Sequence, residues 1–295
     1  MEIDSKPASY TGEKAGLVGI IPIHGIESSF DLPWQDVFMP LNKGLTAVER
    51  AVYECAFAGC TSIWIVCNDD VAPVLKHRVG ECVGDPVWQY RVFELNPDHK
   101  ARQIPIYYVP LNPKDLKRRD SLSWSIIYGA MTYNKFSYQV SKWLVPEKFY
   151  VTFPWGIYDP RFIREHRQLI RSCDRFLLSH NDETVKENKF LSFTFTPDDV
   201  QPMKRYIYHE CTGQNREKLY DMKYSSRFFS LEKVFSHLPE ADEVTKEVPW
   251  YYSMDTWEGY KEFMQSEHTF DVYRFTAKWS TTRMLKRILQ DVDKD

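Results

Sequence analysis

The chain has 295 residues and a mass of 35.0 kDa, enough for one large domain or two small ones. Its 38 Lys and Arg against 41 Asp and Glu leave a formal net charge of -3, which argues against nucleic-acid binding driven by overall charge. A hydrophobic share of 43% excludes disorder over most of the chain.

Nine Trp, 18 Tyr and 18 Phe stand against only 12 Gly, so rings are available for a core, a pocket for a flat ligand, or an oligomer interface. Residues 1–14 are polar and carry Glu2, Asp4 and Glu13, which predicts a flexible arm and not a signal peptide. The longest apolar runs have strand length and fall short of a membrane span. Six scattered cysteines without a C-x-x-C pair read as buried free thiols, which implies a reducing, cytoplasmic setting. His and Cys never cluster at zinc-ligand spacing.

Residues 16–23 are a continuous apolar run, the pattern of a strand buried on both faces, and residues 24–29 follow as a small polar loop. Val48, Ala51, Val52, Cys55 and Ala56 recur at three- to four-residue spacing, predicting an amphipathic helix with Thr46 as N-cap and Gly59 as stop. Residues 61–67 predict a second buried strand ending in Asn68-Asp69-Asp70, and 71–80 a short helix. Such a unit demands a parallel pair with a right-handed crossover. Further strands are predicted at 104–109 and 148–153, and helices at 121–132 and 161–169, the latter begun by Asp159-Pro160.

The last third is less regular. Strands are predicted at 192–196 (half-buried), 204–209 and 270–275, helices at 231–238, 255–265 and 281–291, and an acidic surface loop at 239–248. Alternation of strands and helices predicts an α/β fold, a mostly parallel central sheet covered by helices on both faces. Ligands in such sheets bind beyond the carboxyl ends of the strands, which directs attention to loops 24–29, 68–70 and 154–159.

The order of these pieces resembles the sugar-nucleotide nucleotidyltransferase family, with its GT-A-like, Rossmann-related architecture. Residues 19–25 (Gly-Ile-Ile-Pro-Ile-His-Gly) look like its first strand and loop entry, and Phe38-Met-Pro-Leu41, Leu45-Thr46 and the helix to Gly59 look like the next section. Residues 63–66 resemble its second strand, 121–130 its base-contacting helix, and 148–153 the strand that delivers a metal-binding Asp. The resemblance covers residues 15–240 as one α/β domain and leaves 241–295 as a C-terminal helical extension packed on it.

What the resemblance implies is transfer of a nucleotidyl group from an NTP to a sugar 1-phosphate, with release of pyrophosphate and Mg²⁺ as cofactor. The implied partners are a nucleotide and a sugar phosphate, with no membrane. A short, glycine-poor form would also suit a virally encoded relative working in host cytoplasm. Two alternatives stay open: a GT-A-like glycosyltransferase using an NDP-sugar with Asp69 and Asp70, or a binding or structural protein that kept the scaffold without catalysis. Three positions depart from the family pattern. The Gly-rich loop becomes His24-Gly-Ile-Glu-Ser28 without its arginine, Asp36 stands at the signature lysine, and Trp155 stands at the metal-binding Asp.

The candidate nucleotide and phosphate groups are His24, Gly25, Ser28, Ser29, Arg118, Arg119, Ser121 and Trp155. Gly25 would let backbone approach a phosphate, and the serines could donate to it, although an ordinary turn is the plainer alternative. Arg118 and Arg119 precede a helix N-terminus, where an anion is favoured, or else belong to a solvated charged loop. Trp155, Trp124 and Tyr158 could stack on a base or pack in the core. The candidate catalytic residues are Asp69, Asp159 and Lys43, with Asp69 and Asp159 as Mg²⁺ ligands. Either carboxylate could instead cap the helix that follows it. The arginines at 161, 164, 167 and 171 read as a solvent-facing stripe.

Overall fold

The computed structural model describes residues 16–26, 30, 32–86, 102–116, 119–140, 146–212 and 229–270. The predicted arm at 1–14 and helix at 281–291, and all but the first residue of the predicted strand at 270–275, lie outside them. The strands are β1 (Val18–Pro22), β2 (Pro40–Asn42), β3 (Leu45–Thr46), β4 (Ser62–Cys67), β5 (Cys82–Gly84), β6 (Gln103–Pro110), β7 (Phe149–Val151), β8 (Gly156–Ile157), β9 (Arg175–Ser179), β10 (Phe193–Phe195), β11 (Glu243–Glu247) and β12 (Tyr252–Ser253). The α-helices are α1 (Ala47–Ala58), α2 (Ala72–Val79), α3 (Pro113–Leu116), α4 (Leu122–Val140), α5 (Arg161–Glu165), α6 (Arg167–Ser172), α7 (Pro197–Thr212), α8 (Leu231–Phe235) and α9 (Trp257–Gln265).

β1 is buried along its whole length and sits near the middle of an eight-stranded sheet of order β11-β9-β10-β7-β1-β4-β6-β5. It pairs in parallel with β4 on one side and with β7 on the other. β10 and β5 run against their neighbours, so the sheet is mostly parallel. Helices cover both faces: a Cβ on Gly19 of β1 would meet Cys55 of α1, and one on Gly129 of α4 would meet Ile20 and Val66 on the opposite face. The chain leaves β1 toward β4 and β6 and later returns to β7, which makes the gap between β1 and β7 a topological switch point.

α1 forms where its local signals place it. The Thr46 N–H and Oγ1 both donate to Glu49 Oε2, at 2.8 and 2.9 Å, and Gly59 ends the helix at φ 88°. Its burial exceeds what an amphipathic stripe predicts, because Arg50 and Glu54 are fully buried as well. Glu54 accepts from Arg50 Nη1 (2.7 Å), Tyr150 Oη (2.6 Å), Thr152 Oγ1 (2.8 Å), Tyr158 Oη (2.7 Å) and Ser192 Oγ. Arg50 Nη2 donates to the Phe153 carbonyl at 2.6 Å, and its guanidinium lies 4.8 Å from the Tyr158 ring. Burial would lower the Arg50 pKa, but Glu54 and Tyr158 more than offset this and the net shift is upward. Burial, then the Glu54 charge, pushes the Tyr150 and Tyr158 phenols well up, so they remain donors.

Several expectations need correcting. Residues 204–209 are helical and belong to α7: Thr196 and Asp199 form a cap at its start, and Val200, Met203 and Ile207 bury one stripe. The polar stretch 239–248 contains β11, which pairs in parallel with β9 at the sheet edge, where charged side chains are tolerated because one side faces solvent. β10 is buried throughout, with Phe193 packed against Phe235 of α8 and Phe195 stacked on Phe149. The helix predicted at 161–169 is two short helices interrupted at His166, and the one predicted at 121–132 continues to Val140. β9 has no counterpart among the predicted strands. Lys148, just before β7, is buried and donates to the carbonyls of Ile170, Arg171 and Cys173, closing the C-terminal end of α6.

Replacing Glu54 with Leu would take the carboxylate from Arg50 and the shared acceptor from four hydroxyls. A loss of about 3–5 kcal/mol is expected from urea unfolding, with Glu54→Gln losing less because it keeps a carbonyl acceptor. Cys55, Cys60 and Cys67 are buried free thiols, Cys82 and Cys173 are half-buried, and the Cys211 side chain lies outside the described ones. Burial, with Asp69 and Asp70 nearby, pushes the Cys67 thiol up to about 12, so it is protonated at neutral pH. Iodoacetamide at neutral pH is expected to spare Cys55, Cys60 and Cys67 until the chain is unfolded, as read by peptide mass mapping.

Candidate functional site

β1 and β7 end side by side, in the register Val18 with Phe149, Gly19 with Tyr150 and Ile20 with Val151. Ile23, just past β1, donates its N–H to the Val66 carbonyl of β4 at 2.9 Å, so the exit of the first strand is tied to its other neighbour too. The chain then turns through Gly25 at φ 99°, a left-handed conformation that favours glycine. A Cβ at that position would lie 2.2 Å from the Ser121 carbonyl carbon and 2.5 Å from the Leu122 nitrogen. The turn therefore rests directly on the N-terminus of α4.

Two contacts hold it there, and a third caps the helix. Ser125 Oγ donates to the His24 carbonyl at 2.7 Å, and His24 Nε2 lies 2.8 Å from Asp120 Oδ1. Ser121 Oγ accepts the Trp124 N–H at 3.2 Å and caps the helix. His24, Gly25 and Ser121 are thus brought together beside the positive end of a 19-residue helix, a setting that favours an anion. Ser28, Ser29 and Arg118 lie outside the described residues.

The other candidate residues are placed differently. Arg119 is turned into the protein: it pairs with Asp115 at 2.9 Å and lies 3.9 Å from the Tyr208 ring and 4.8 Å from the Trp124 ring. Its charge is committed to holding α3, α4 and α7 together. Lys43 is exposed in the turn between β2 and β3. Asp69 and Asp70 are exposed after β4, and α2 begins without a side-chain cap, through backbone bonds from Val71 and Ala72 to the Asn68 carbonyl. Asp159 accepts the Arg161 N–H at 2.9 Å, and both of its oxygens are engaged by the Arg161 guanidinium.

Trp155 is not a stacking surface at the mouth of the crevice. It is fully buried, and Nε1 donates to Asp36 Oδ2 at 2.8 Å. Its carbonyl accepts from Met254 N at 2.7 Å, and its ring lies beside Phe190. Trp124 is likewise buried, and Tyr158 belongs to the Glu54 network. Sequence reasoning missed Arg50, Glu54 and their network. The available signal was an i,i+4 pair of opposite charges set among apolar residues of one helix.

Among the described residues, no three His, Cys, Asp or Glu side chains come together to hold a metal, and no helix is long and apolar enough to cross a membrane. With Asp159 locked on Arg161 and Asp69 on a separate exposed turn, the pair expected for Mg²⁺ does not fit the ion in this arrangement.

No family model and no curated protein matches the chain. Solved structures do. A proposed glucose-1-phosphate thymidylyltransferase from Bacillus anthracis, in complex with sucrose, aligns with a TM-score of 0.53 and 9% identity, over 88% of this chain and 98% of that one. A UDP-glucose pyrophosphorylase complexed with UDP-glucose aligns with a TM-score of 0.50 and 13% identity, over 83% of this chain and 96% of that one. What is shared is the fold: this chain has the architecture of sugar-nucleotide nucleotidyltransferases.

Gly25→Ala would both strain the backbone and drive a methyl group into the start of α4. A stability loss of about 1–3 kcal/mol is expected in chemical denaturation, since the left-handed turn and the close approach are lost together.

Proposed function

We propose that this chain binds a nucleotide, together with a sugar phosphate, in the crevice beyond the carboxyl ends of β1, β7 and β4. The observation that carries this is the β1–β7 ladder with the His24–Gly25 turn seated on the N-terminus of α4. In this reading Gly25 lets the turn close onto α4, His24 offers a polar group, and the helix end supplies positive potential. Lys43 and Asp69 are solvent-facing groups for a phosphate and a sugar hydroxyl, respectively.

A second reading is nucleotidyl transfer itself, in which a sugar 1-phosphate attacks the α-phosphorus of an NTP and pyrophosphate leaves. The shared fold favours it, since the solved structures it matches carry names for that kind of enzyme. Such a step depends on in-line positioning and on neutralising charge at the phosphates. Mg²⁺ would normally share that charge, but no step is derived through it, because Asp159 is already satisfied by Arg161. The commitment of Arg119 to Asp115 and two rings removes a further cation. These arrangements place binding ahead of turnover.

Titration calorimetry with the four common NTPs, NDP-sugars and sugar 1-phosphates, run beside a pyrophosphate-release assay, separates the readings. Saturable nucleotide binding without pyrophosphate is the expected result. Pyrophosphate release with any NTP and sugar 1-phosphate pair would establish transfer instead. Absence of nucleotide binding under every condition would overturn both.

A further inference from the structure

The resemblance puts Asp36 and Trp155 at the family's signature lysine and metal-binding aspartate. They lie 119 residues apart in the chain, yet they are direct hydrogen-bond partners at 2.8 Å. From this we infer that the Asp36–Trp155 hydrogen bond is a paired replacement that closes the crevice to a catalytic metal, so that a nucleotide held there is bound without one. The inference rests on the crevice being the nucleotide site.

The chemistry of the pair supports it in three ways. An indole Nε1–H is a donor only and has no lone pair to offer a cation, so Trp155 cannot ligate a metal where a carboxylate would. The one carboxylate of the pair, Asp36, is itself buried and has Oδ2 facing that indole. Where the resemblance expects a cation at position 36 a carboxylate stands instead, which disfavours phosphate oxygens beside it.

Each residue of the pair also needs the other. Without Asp36 the Trp155 N–H would be a buried donor lacking this acceptor, and without Trp155 the Asp36 carboxylate would be buried lacking this donor. The surrounding contacts hold the pair closed. Met254 donates to the Trp155 carbonyl, Phe190 lies against its ring, and Arg50 grips the Phe153 carbonyl two residues before it. The next carboxylate along the chain is Asp159, and Arg161 engages both its oxygens.

The test uses the indole Nε1–H resonance of Trp155 in the full-length ¹⁵N-labelled chain, assigned through Trp155→Phe, or through the shift caused by Asp36→Asn if that variant does not fold. Mn²⁺ alone, and then Mn²⁺ with an NTP, is expected to leave this resonance sharp. Calorimetry is expected to give the same nucleotide affinity in Mg²⁺ and in EDTA, within about twofold. Paramagnetic broadening of the Trp155 signal, or an affinity about tenfold or more tighter in Mg²⁺, would overturn the inference while leaving nucleotide binding intact. Absence of nucleotide binding in both buffers would instead remove the crevice reading, and the inference with it.

Discussion

The buried carboxylate of Glu54 is the point through which the central part of this structure is held together. A lone charge there would be costly to remove from water, and it is tolerated because Arg50 and four hydroxyls saturate it. Those donors come from different parts of the fold. Arg50 belongs to α1, Tyr150 to β7, Thr152 and Tyr158 to the chain on either side of β8, and Ser192 to the entry of β10. One acceptor thus joins a helix to two strands of the sheet and to the loop that leaves it. Through Arg50 the same network holds the Phe153 carbonyl, which sets the direction in which the chain departs from β7.

That direction has consequences for the crevice. The chain past β7 is drawn inward, placing Trp155 against Asp36 and Phe190 and leaving its carbonyl for Met254. The chain past β1 turns instead at Gly25 onto the start of α4. The two strand exits therefore differ: the turn after β1 packs on the capped start of α4, and the chain after β7 makes a filled interior contact. The difference follows from packing and hydrogen bonding, within a fold shared with nucleotidyltransferases.

Charged residues elsewhere show the same habit of serving the interior. Lys148 closes the end of α6 through three carbonyls, Arg119 is clamped between Asp115 and two aromatic rings, and Arg175 pairs with Asp199 across β9 and α7. The aromatic excess is largely spent in the same way, with Trp124, Trp155, Tyr150 and Tyr158 all buried. A basic residue before a helix, or a tryptophan after a strand, has the composition of a ligand site. Here each has found a partner inside the protein, which is why residue type alone misplaced Arg119 and Trp155.

Much of the fold was legible in the sequence, because its signals are local. The unbroken apolar runs of β1 and β4, the spacing along α1, the Thr46–Glu49 start and the Gly59 stop depend only on neighbours a few residues away. The same is true of the parallel sheet, which follows from the alternation of strands and helices. Other features needed partners distant in the chain. The polar stretch at β11 becomes a strand only by pairing with β9, and β10 is buried by rings distant in the chain, Phe235 on Phe193 and Phe149 on Phe195. Glu54 meets its hydroxyl partners across 96 to 138 residues, and Asp36 meets Trp155 across 119. Local patterning determined which segments are strands and helices. Only the tertiary structure decided which charges are satisfied indoors, because a buried hydrogen bond is specified by two groups meeting and neither one's sequence neighbourhood records the other.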